Sequence, residues 1–283
     1  MQVSHRSPDA CALKAFVGRT QSASAFITTE LAERFRAALD LPGKELQDGD
    51  IAPLAIHFCL APPFVATSAL REDGHPAFSN FLPSPFPRRM WAGGALTYSG
   101  ELRVGQLVTR HSEIADVALK TGRSGSLCFI TVNHTFNAGG TTVLKERQDI
   151  VYREAHGGNP APVSEPTRPT GTNSREIVPS PTLLFRYSAL TFNSHRIHYD
   201  RTYCVEVEHY PGLVVHGPLQ ATLLLHYANE LRGSPPRSFS FRSGMPLFDL
   251  ELFRLNAREA DGHLELWTSS NTGQPAMTAS ATW

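Results

Sequence analysis

The sequence has no net charge, few cysteines and no long apolar run, and each shortage excludes a class of protein. Lysine plus arginine and aspartate plus glutamate each number 26, so no general attraction to nucleic acid or an anionic membrane surface is expected. No apolar run approaches the roughly 20 residues that cross a bilayer. The polar start, Met1–Asp9, lacks the apolar core of a secretory signal. We therefore expect a cytoplasmic protein without nucleic-acid or membrane partners.

The four cysteines are scattered along the chain and form no CxxC pair. This spacing favours buried or neutral thiols in a reducing cytosol over a disulfide framework or a metal site. What the chain does have is 283 residues, of which 41% are hydrophobic and 18% charged, and this composition is typical of a globular protein with a substantial core.

A stretch rich in proline, glycine, serine and threonine, His156–Asn173, divides the chain. Such a composition cannot sustain a helix or a central strand. We therefore predict an N-terminal domain over residues 1–155, a linker over 156–179 and a C-terminal domain over 180–283, both domains of ordinary size.

Each predicted domain combines a helix with strands. In the first, Thr28 or Thr29 can cap a helix that reaches Leu39 and ends at Pro42-Gly43. Irregular structure is expected over Ile51–Arg89. Strands are predicted over Ala95–Val108, Leu127–Phe136 and Thr141–Tyr152, with turns at Gly122–Gly125 and Gly139-Gly140.

In the second domain, a helix over Gly217–Leu231 is apolar nearly all round, which is typical of a buried helix. Four strand candidates follow it: Ser238–Phe241, Phe248–Ala257, Leu264–Trp267 and Met277–Trp283. A buried helix followed by an antiparallel sheet indicates a sheet that wraps its helix. Two such units in series predict an α+β pseudo-dimer made from one chain.

The chemically informative segment is Leu184–Leu225. Asn193 and His198 lie five residues apart in a polar stretch, and Tyr210–Gly217 leads directly into the buried helix. A histidine can take a proton from water near neutral pH and return it. The N–H groups at the start of a helix suit a developing oxyanion. This pairing is what hydration of an enoyl thioester requires.

Spacing alone leaves other readings open. Asn193 could be a turn asparagine and His198 a surface histidine, and Gly217 could simply allow close packing of the helix. His195, His198 and His216 could indicate a metal site. A base beside an oxyanion site serves thioester hydrolysis as well as hydration.

The segment Phe192–His198, FNSHRIH, resembles the GDxNPxH signature of the MaoC-like hot dog hydratases, in which an antiparallel sheet wraps a helix. The family's catalytic histidine falls on His198 and its catalytic aspartate on Asn193. The family's later HG falls on His216-Gly217, where the glycine N–H polarises the thioester carbonyl. The sequence of the C-terminal half is more similar to one branch of this family. That branch contains the type 2 hydroxyacyl-thioester dehydratases and the mesaconyl-C4-CoA and itaconyl-CoA hydratases. Three N-terminal segments also resemble these double hot dogs: Pro87–Gly94, Leu102–Thr109 and Gln148–Glu154.

The resemblance implies roles for individual residues. Asparagine cannot act as a general base, so Asn193 would orient water or substrate while His198 transfers the proton; Asp200 stays an alternative carboxylate. The N-terminal half has no Asn/His pair and is expected to be catalytically silent, completing the acyl and CoA pocket. There Arg88 and Arg89 could bind a free acyl carboxylate, although solvated loop arginines or contacts to CoA phosphates are alternatives. Trp91 and His216 complete the expected substrate-binding set.

The resemblance implies a hydro-lyase acting on a C5 dicarboxylic enoyl-CoA, such as mesaconyl-C4-CoA or itaconyl-CoA. The alternatives are a dehydratase for longer or carrier-bound chains, a hot dog thioesterase, and a non-enzymatic acyl-binding or scaffold protein. CoA would enter as part of the substrate, with no metal or redox cofactor. The chain is expected to be a monomer or a homodimer.

Overall fold

A computed structural model describes residues 10–77, 79, 81–122, 125–154 and 167–283. Three sequence predictions fall wholly or partly outside these residues: the polar start Met1–Asp9, the first part of the linker up to residue 166, and the middle of the Gly122–Gly125 turn.

Ten antiparallel strands form one continuous sheet. Its order is β1-β3-β4-β5-β2-β7-β10-β9-β8-β6. The strands are β1 (Thr20–Phe26), β2 (Arg88–Tyr98), β3 (Leu107–Gly122), β4 (Gly125–Ala138), β5 (Thr141–Arg153), β6 (Asn173–Ile177), β7 (Ser238–Ser243), β8 (Phe253–Ala260), β9 (His263–Ser269) and β10 (Pro275–Thr282).

The two halves of this sheet meet where β2 pairs with β7. Five strands lie on each side of the pairing, which runs from Gly93 opposite Arg242 to Thr97 opposite Ser238. The predicted α+β double hot dog is therefore confirmed, with its two sheets joined edge to edge. A Cβ on Gly93 would lie 2.6 Å from the Phe241 carbonyl oxygen, so this close approach needs a glycine.

Five helices accompany the sheet in the described residues: α1 (Ala10–Lys14), α2 (Thr29–Ala38), α3 (Pro181–Leu190), α4 (Arg201–Glu206) and α5 (Gly217–Arg232). The predicted helices correspond to α2 and α5. The Thr28 hydroxyl caps α2 by accepting from the N–H of Leu31 at 3.1 Å. As expected from its apolar surface, α5 is buried, and it packs on β7, β8, β9 and β10. None of the described helices is long and apolar enough to cross a membrane.

The predicted strand Ala95–Val108 is wrong. The chain leaves β2 after Tyr98 and enters β3 only at Leu107. Between these strands Leu102 and Val104 lie in a loop, and both side chains are buried. Their spacing of two residues gives the same apolar alternation as a strand. This loop turns back at Gly105, whose φ of +84° favours glycine.

Other boundaries also differ from the sequence prediction. The strand expected over Phe248–Ala257 begins only at Phe253, because the residues before it form a turn against the 207–216 loop. The last residues of the expected linker form β6, an edge strand that pairs with β8. The edge strands β1 and β6 and the helix α3 have too little apolar periodicity to be found from sequence.

A buried polar cluster lies inside the N-terminal half. Glu146 accepts a hydrogen bond from Gln148 at 2.7 Å, and its other oxygen lies 3.9 Å from Nε2 of His57. Burial raises the pKa of Glu146 to about 7, although Gln148 and Arg110 act in the opposite direction. Burial lowers the pKa of His57 to about 3, helped by His134 and Arg110.

Replacing Glu146 by Gln should change how stability depends on pH. The folded protein keeps this proton up to about pH 7, while an unfolded carboxyl loses it near pH 4.3. The term that Glu146 contributes to the free energy of unfolding is therefore fully present below pH 4.3 and is lost as pH rises to 7, by at most about 1.4 kcal/mol per pH unit.

Urea unfolding at pH 5, 6, 7 and 8 measures this dependence. The free energy of unfolding of E146Q relative to the unmodified protein should rise with pH over this range. Glu113→Gln, which removes an exposed carboxylate from β3, serves as the control. Parallel curves for E146Q and the unmodified protein would show that Glu146 is already ionised in the fold.

Candidate active site

The predicted catalytic histidine, His198, is buried and is held at two points against the 207–216 loop. It ends a short 3-10 turn, Arg196–His198, between α3 and α4. The N–H of Val214 donates to the carbonyl of Ile197 at 2.9 Å, and Nδ1 of His198 lies 2.7 Å from the carbonyl oxygen of Val214. The alternative of a surface histidine is therefore wrong, since His198 is only 8% exposed.

These contacts determine which ring nitrogen of His198 carries the proton. A carbonyl oxygen can only accept, so Nδ1 donates to Val214 and Nε2 keeps a free lone pair in the neutral ring. Burial lowers the pKa of His198 to about 4, although the bond to Val214 acts in the opposite direction. The ring is therefore neutral at pH 7, with Nε2 able to accept a proton from water.

His216 lies directly against this ring. The two imidazoles stack with centroids 3.7 Å apart and planes 20° from parallel, and Nε2 of His216 lies 2.8 Å from the Ser188 hydroxyl. Stacked rings direct their nitrogens along parallel planes and not toward one ion. The metal site considered for His195, His198 and His216 is therefore not formed. A different group, Asp73, His75 and His195, brings its ligand atoms within 4.8 Å of one another.

Asn193 and Asp200 have defined structural partners. The Asn193 side-chain oxygen accepts from the backbone N–H of His195 at 3.1 Å, so the turn-asparagine reading is correct, and its NH₂ group makes no hydrogen bond within the described residues. Asp200 caps α4 by accepting from the N–H of Tyr203 and also binds Arg196 through two nitrogens. These bonds lower the pKa of Asp200 and occupy its oxygens.

Gly217 opens α5 beside Trp91 and Ser243. The first intrahelical bond runs from the N–H of Gln220 to the carbonyl of His216, so the Gly217 N–H precedes the hydrogen-bonded turns. A Cβ on Gly217 would lie 3.2 Å from the Trp91 ring and 3.6 Å from the Ser243 hydroxyl. That hydroxyl is buried and makes no hydrogen bond in the described residues. The start of α5 thus offers polar groups in a confined space.

The two arginines of β2 have different surroundings. Arg88 lies 3.8 Å from Glu208, on the side of Arg153 and Tyr210. Arg89 makes no ion pair within the described residues. Burial is the main cause that lowers the pKa of His75 and of His195, and the charge of Arg89 acts in the same direction. Both belong to a strand, so the alternative of solvated loop arginines is wrong.

The loop of residues 71–75, REDGH, is fastened to the segment that carries His198. The Ser194 hydroxyl donates to the carbonyl of Gly74 at 2.6 Å, and the N–H of Arg196 donates to that of Asp73 at 3.0 Å. A Cβ on Gly74 would lie 1.8 Å from the Ser194 carbonyl oxygen, which leaves room only for glycine. The N-terminal half therefore supplies part of the wall around His198.

Sequence reasoning missed His75, Asp73, Ser188 and Ser243. The charged run REDGH inside a proline-rich stretch is the one signal that could have drawn attention to the first two. The two serines carry no motif, and their importance arises only from long-range packing. Four of the predicted site residues do lie together in the fold: His216 stacks on His198, and Trp91 contacts Gly217.

Solved structures with this architecture define the class of protein. A MaoC-like dehydratase from Phytophthora capsici superposes with a TM-score of 0.73 at 14% identity, over 95% of this chain and 96% of that one. A Mycobacterium tuberculosis protein described as having a double hot dog fold gives 0.57 at 12% identity, over 94% of this chain and 95% of that one. The fold is that of the MaoC-like double hot dogs.

The sequence comparisons identify the family within this class. The family model for hydroxyacyl-thioester dehydratase type 2 matches residues 55–249, and the chain belongs to this family. A mesaconyl-C(4)-CoA hydratase from Chloroflexus aurantiacus is 42% identical over 268 residues, which cover 94% of this chain and 95% of that protein.

Nuclear magnetic resonance can test the state of His198 directly. We expect its Nδ1 to be protonated and its Nε2 unprotonated from pH 8 down to about pH 5, because its pKa lies near 4. Long-range ¹H–¹⁵N spectra assign both nitrogens. His226 is the matched control, since its Nε2 donates to the carbonyl of Leu54 and its pKa is also lowered to about 4. Titration of His198 near pH 6.5, or a proton on Nε2, would contradict the assignment.

Proposed function

We propose that the protein hydrates an enoyl-CoA thioester with a C5 dicarboxylic acyl group, with mesaconyl-C4-CoA as the first candidate and itaconyl-CoA as the second. The observation that carries the proposal is the free Nε2 lone pair of a neutral, buried His198 near a helix N-terminus. The extensive identity to a mesaconyl-C(4)-CoA hydratase supports the acyl group.

The proposed reaction uses one base and one oxyanion site. In mesaconyl-C4-CoA, whose C=C bond joins the α- and β-carbons, Nε2 of His198 takes a proton from water while the water oxygen bonds to the β-carbon, and the π electrons of the C=C bond shift toward the thioester carbonyl. The N–H of Gly217 holds the resulting charge on the thioester oxygen. The imidazolium then returns its proton to the α-carbon. In dehydration the same steps run backwards.

Two neighbours of His198 would support these steps. The NH₂ group of Asn193, which makes no hydrogen bond to any residue that the structure describes, can donate to the attacking water and so fix its direction. The Ser243 hydroxyl can donate to a substrate oxygen near Gly217. Asp200 takes no part, because Tyr203 and Arg196 already bind its oxygens.

A dehydratase for longer or carrier-bound chains is the second candidate, favoured by the activity for which the family is named. It would use the same residues with a different acyl pocket. The proposal also includes a cytoplasmic location, CoA brought in with the substrate, no metal or redox cofactor, and a monomer or homodimer.

Substitution of His198 by Ala should lower kcat/KM for hydration of mesaconyl-C4-CoA by about 10²–10⁴, because the proton acceptor is removed. Enoyl absorbance and free thiol are followed together, with itaconyl-CoA, crotonyl-CoA and a long-chain enoyl-CoA as the other substrates. His226→Ala removes a histidine that is likewise bonded to a backbone carbonyl, and it should leave kcat/KM within about threefold.

Each result of this assay has a definite meaning. Loss of enoyl absorbance without thiol release, abolished in H198A alone, supports hydration. Thiol release would establish a thioesterase, and turnover of the long-chain substrate alone would establish the second candidate. Unchanged activity in H198A, or none with any substrate, would refute the proposed mechanism.

The pH dependence of kcat/KM reports on the free enzyme and should follow His198. Since its pKa is about 4, the base is fully neutral above pH 5, and activity falls only as protonation removes the lone pair near pH 4. Initial rates between pH 4 and 8, with unfolding monitored in parallel, measure this limb. An acid limb near pH 6.5 would mean that a different or more exposed base transfers the proton.

A further inference from the structure

We propose that Arg89, His75 and His195 bind the free carboxylate of the substrate, and that Asp73 holds His75 in position for this contact. The inference rests on the proposed function and deepens it. It adds the 71–75 loop of the N-terminal half, which the sequence did not single out, to the Arg89 that the sequence already suggested for a free carboxylate.

The chemistry of the substrate limits where such a pocket can lie. In mesaconyl-C4-CoA the carboxylate is bonded to the β-carbon, the same atom that water attacks. Covalent geometry then places the carboxylate oxygens two bonds from the reacting atom. Groups that bind this carboxylate must therefore border His198, and a pocket at the far end of a long acyl channel would not serve.

A row of imidazole rings satisfies this requirement. The centroid of His195 lies 5.5 Å from that of His198, and the centroid of His75 lies 4.2 Å from that of His195. Asp73 accepts from the backbone N–H of His75 at 2.8 Å, and its second oxygen lies 3.4 Å from Nδ1 of the same residue. The carboxylate of Asp73 thus orients the ring that its own loop presents.

The charges around this row favour an anion. Arg89 is half-buried and stands two residues before Trp91 in β2, on the same face of the strand as this neighbour of Gly217. It has no ionic partner within the described residues, and its charge acts on both His75 and His195. Arg71 lies 3.5 Å from Asp73 and offsets the negative charge of that carboxylate. A planar guanidinium beside two neutral imidazoles is suited to a carboxylate.

A divalent metal ion is the competing occupant, since Asp73, His75 and His195 are near enough to share one. Two observations disfavour it. Asp73 is already engaged by His75 and Arg71, and the charge of Arg89 opposes a cation at His75 and His195.

Two saturated analogues separate carboxylate recognition from catalysis. In the C4 thioester of methylsuccinate with CoA, the β-carbon carries a methyl group and a carboxylate, and in 3-methylbutyryl-CoA it carries two methyl groups. Calorimetry gives the ratio of their dissociation constants. We expect the unmodified protein to prefer the first analogue by at least about 10²-fold, because a charge-assisted pair in a confined site is strong.

Arg89→Gln should reduce this preference by about 10²-fold and His75→Gln by about 10-fold, with binding of 3-methylbutyryl-CoA changed by less than about threefold. The matched controls are Arg258→Gln and His263→Gln, on the β8–β9 hairpin, which should leave both constants unchanged.

The outcomes separate this inference from the proposed function. Turnover of mesaconyl-C4-CoA with an undiminished preference in both variants overturns the carboxylate pocket alone. Equal weakening of both analogues assigns the residues a structural role and also overturns it. A preference that EDTA removes and Zn²⁺ restores overturns it in favour of the metal. Failure of the unmodified protein to hydrate mesaconyl-C4-CoA refutes the proposed function itself.

Discussion

The pairing of β2 with β7 is the constraint on which the rest of the structure depends. Five residue pairs join two five-stranded sheets into one, and glycine at 93 lets the backbones approach without a side chain between them. On its other edge β2 pairs with β5, and that pairing has a β-bulge between Trp91 and Gly93. Through this pairing one strand of the N-terminal half reaches the start of α5, so Trp91 packs on Gly217 and Arg89 acts on the histidines beside His198.

Backbone groups and side chains have different roles in the site. The backbone carbonyl of Val214 sets the tautomer of His198, and the backbone of Gly217 opens α5 beside the Trp91 ring. With Asn193 in place of the aspartate of the MaoC signature, the carboxylate nearest to His198 in sequence is Asp200, whose oxygens are bound by Tyr203 and Arg196. Burial keeps the imidazole neutral at pH 7, so Nε2 has a lone pair available there, and it also makes the ring a weaker base than an exposed histidine.

How much the sequence could predict depended on whether the signal was local. The period of α5 and the motif around His198 and Gly217 are local, and they led to the correct helix and fold and to residues that the folded chain brings together. Asp73 and His75 are more than 100 residues from His195, and only the folded chain shows that Gly74 packs on Ser194. Leu102 and Val104 misled the strand prediction, because loop residues can be buried with the alternation of a strand.

Fusion of the two halves also has an evolutionary consequence. In a homodimer of single hot dogs every substitution occurs twice, and a twofold axis forces both acyl pockets to change together. In this chain each position occurs only once, so a substitution in one half leaves the other half unchanged. The C-terminal half carries His198 and the helix that begins at Gly217, while the N-terminal half contributes Arg89, Trp91 and the 71–75 loop. Asymmetry of this kind lets a site between the halves be bordered by two chemically different surfaces, which a twofold axis would make identical.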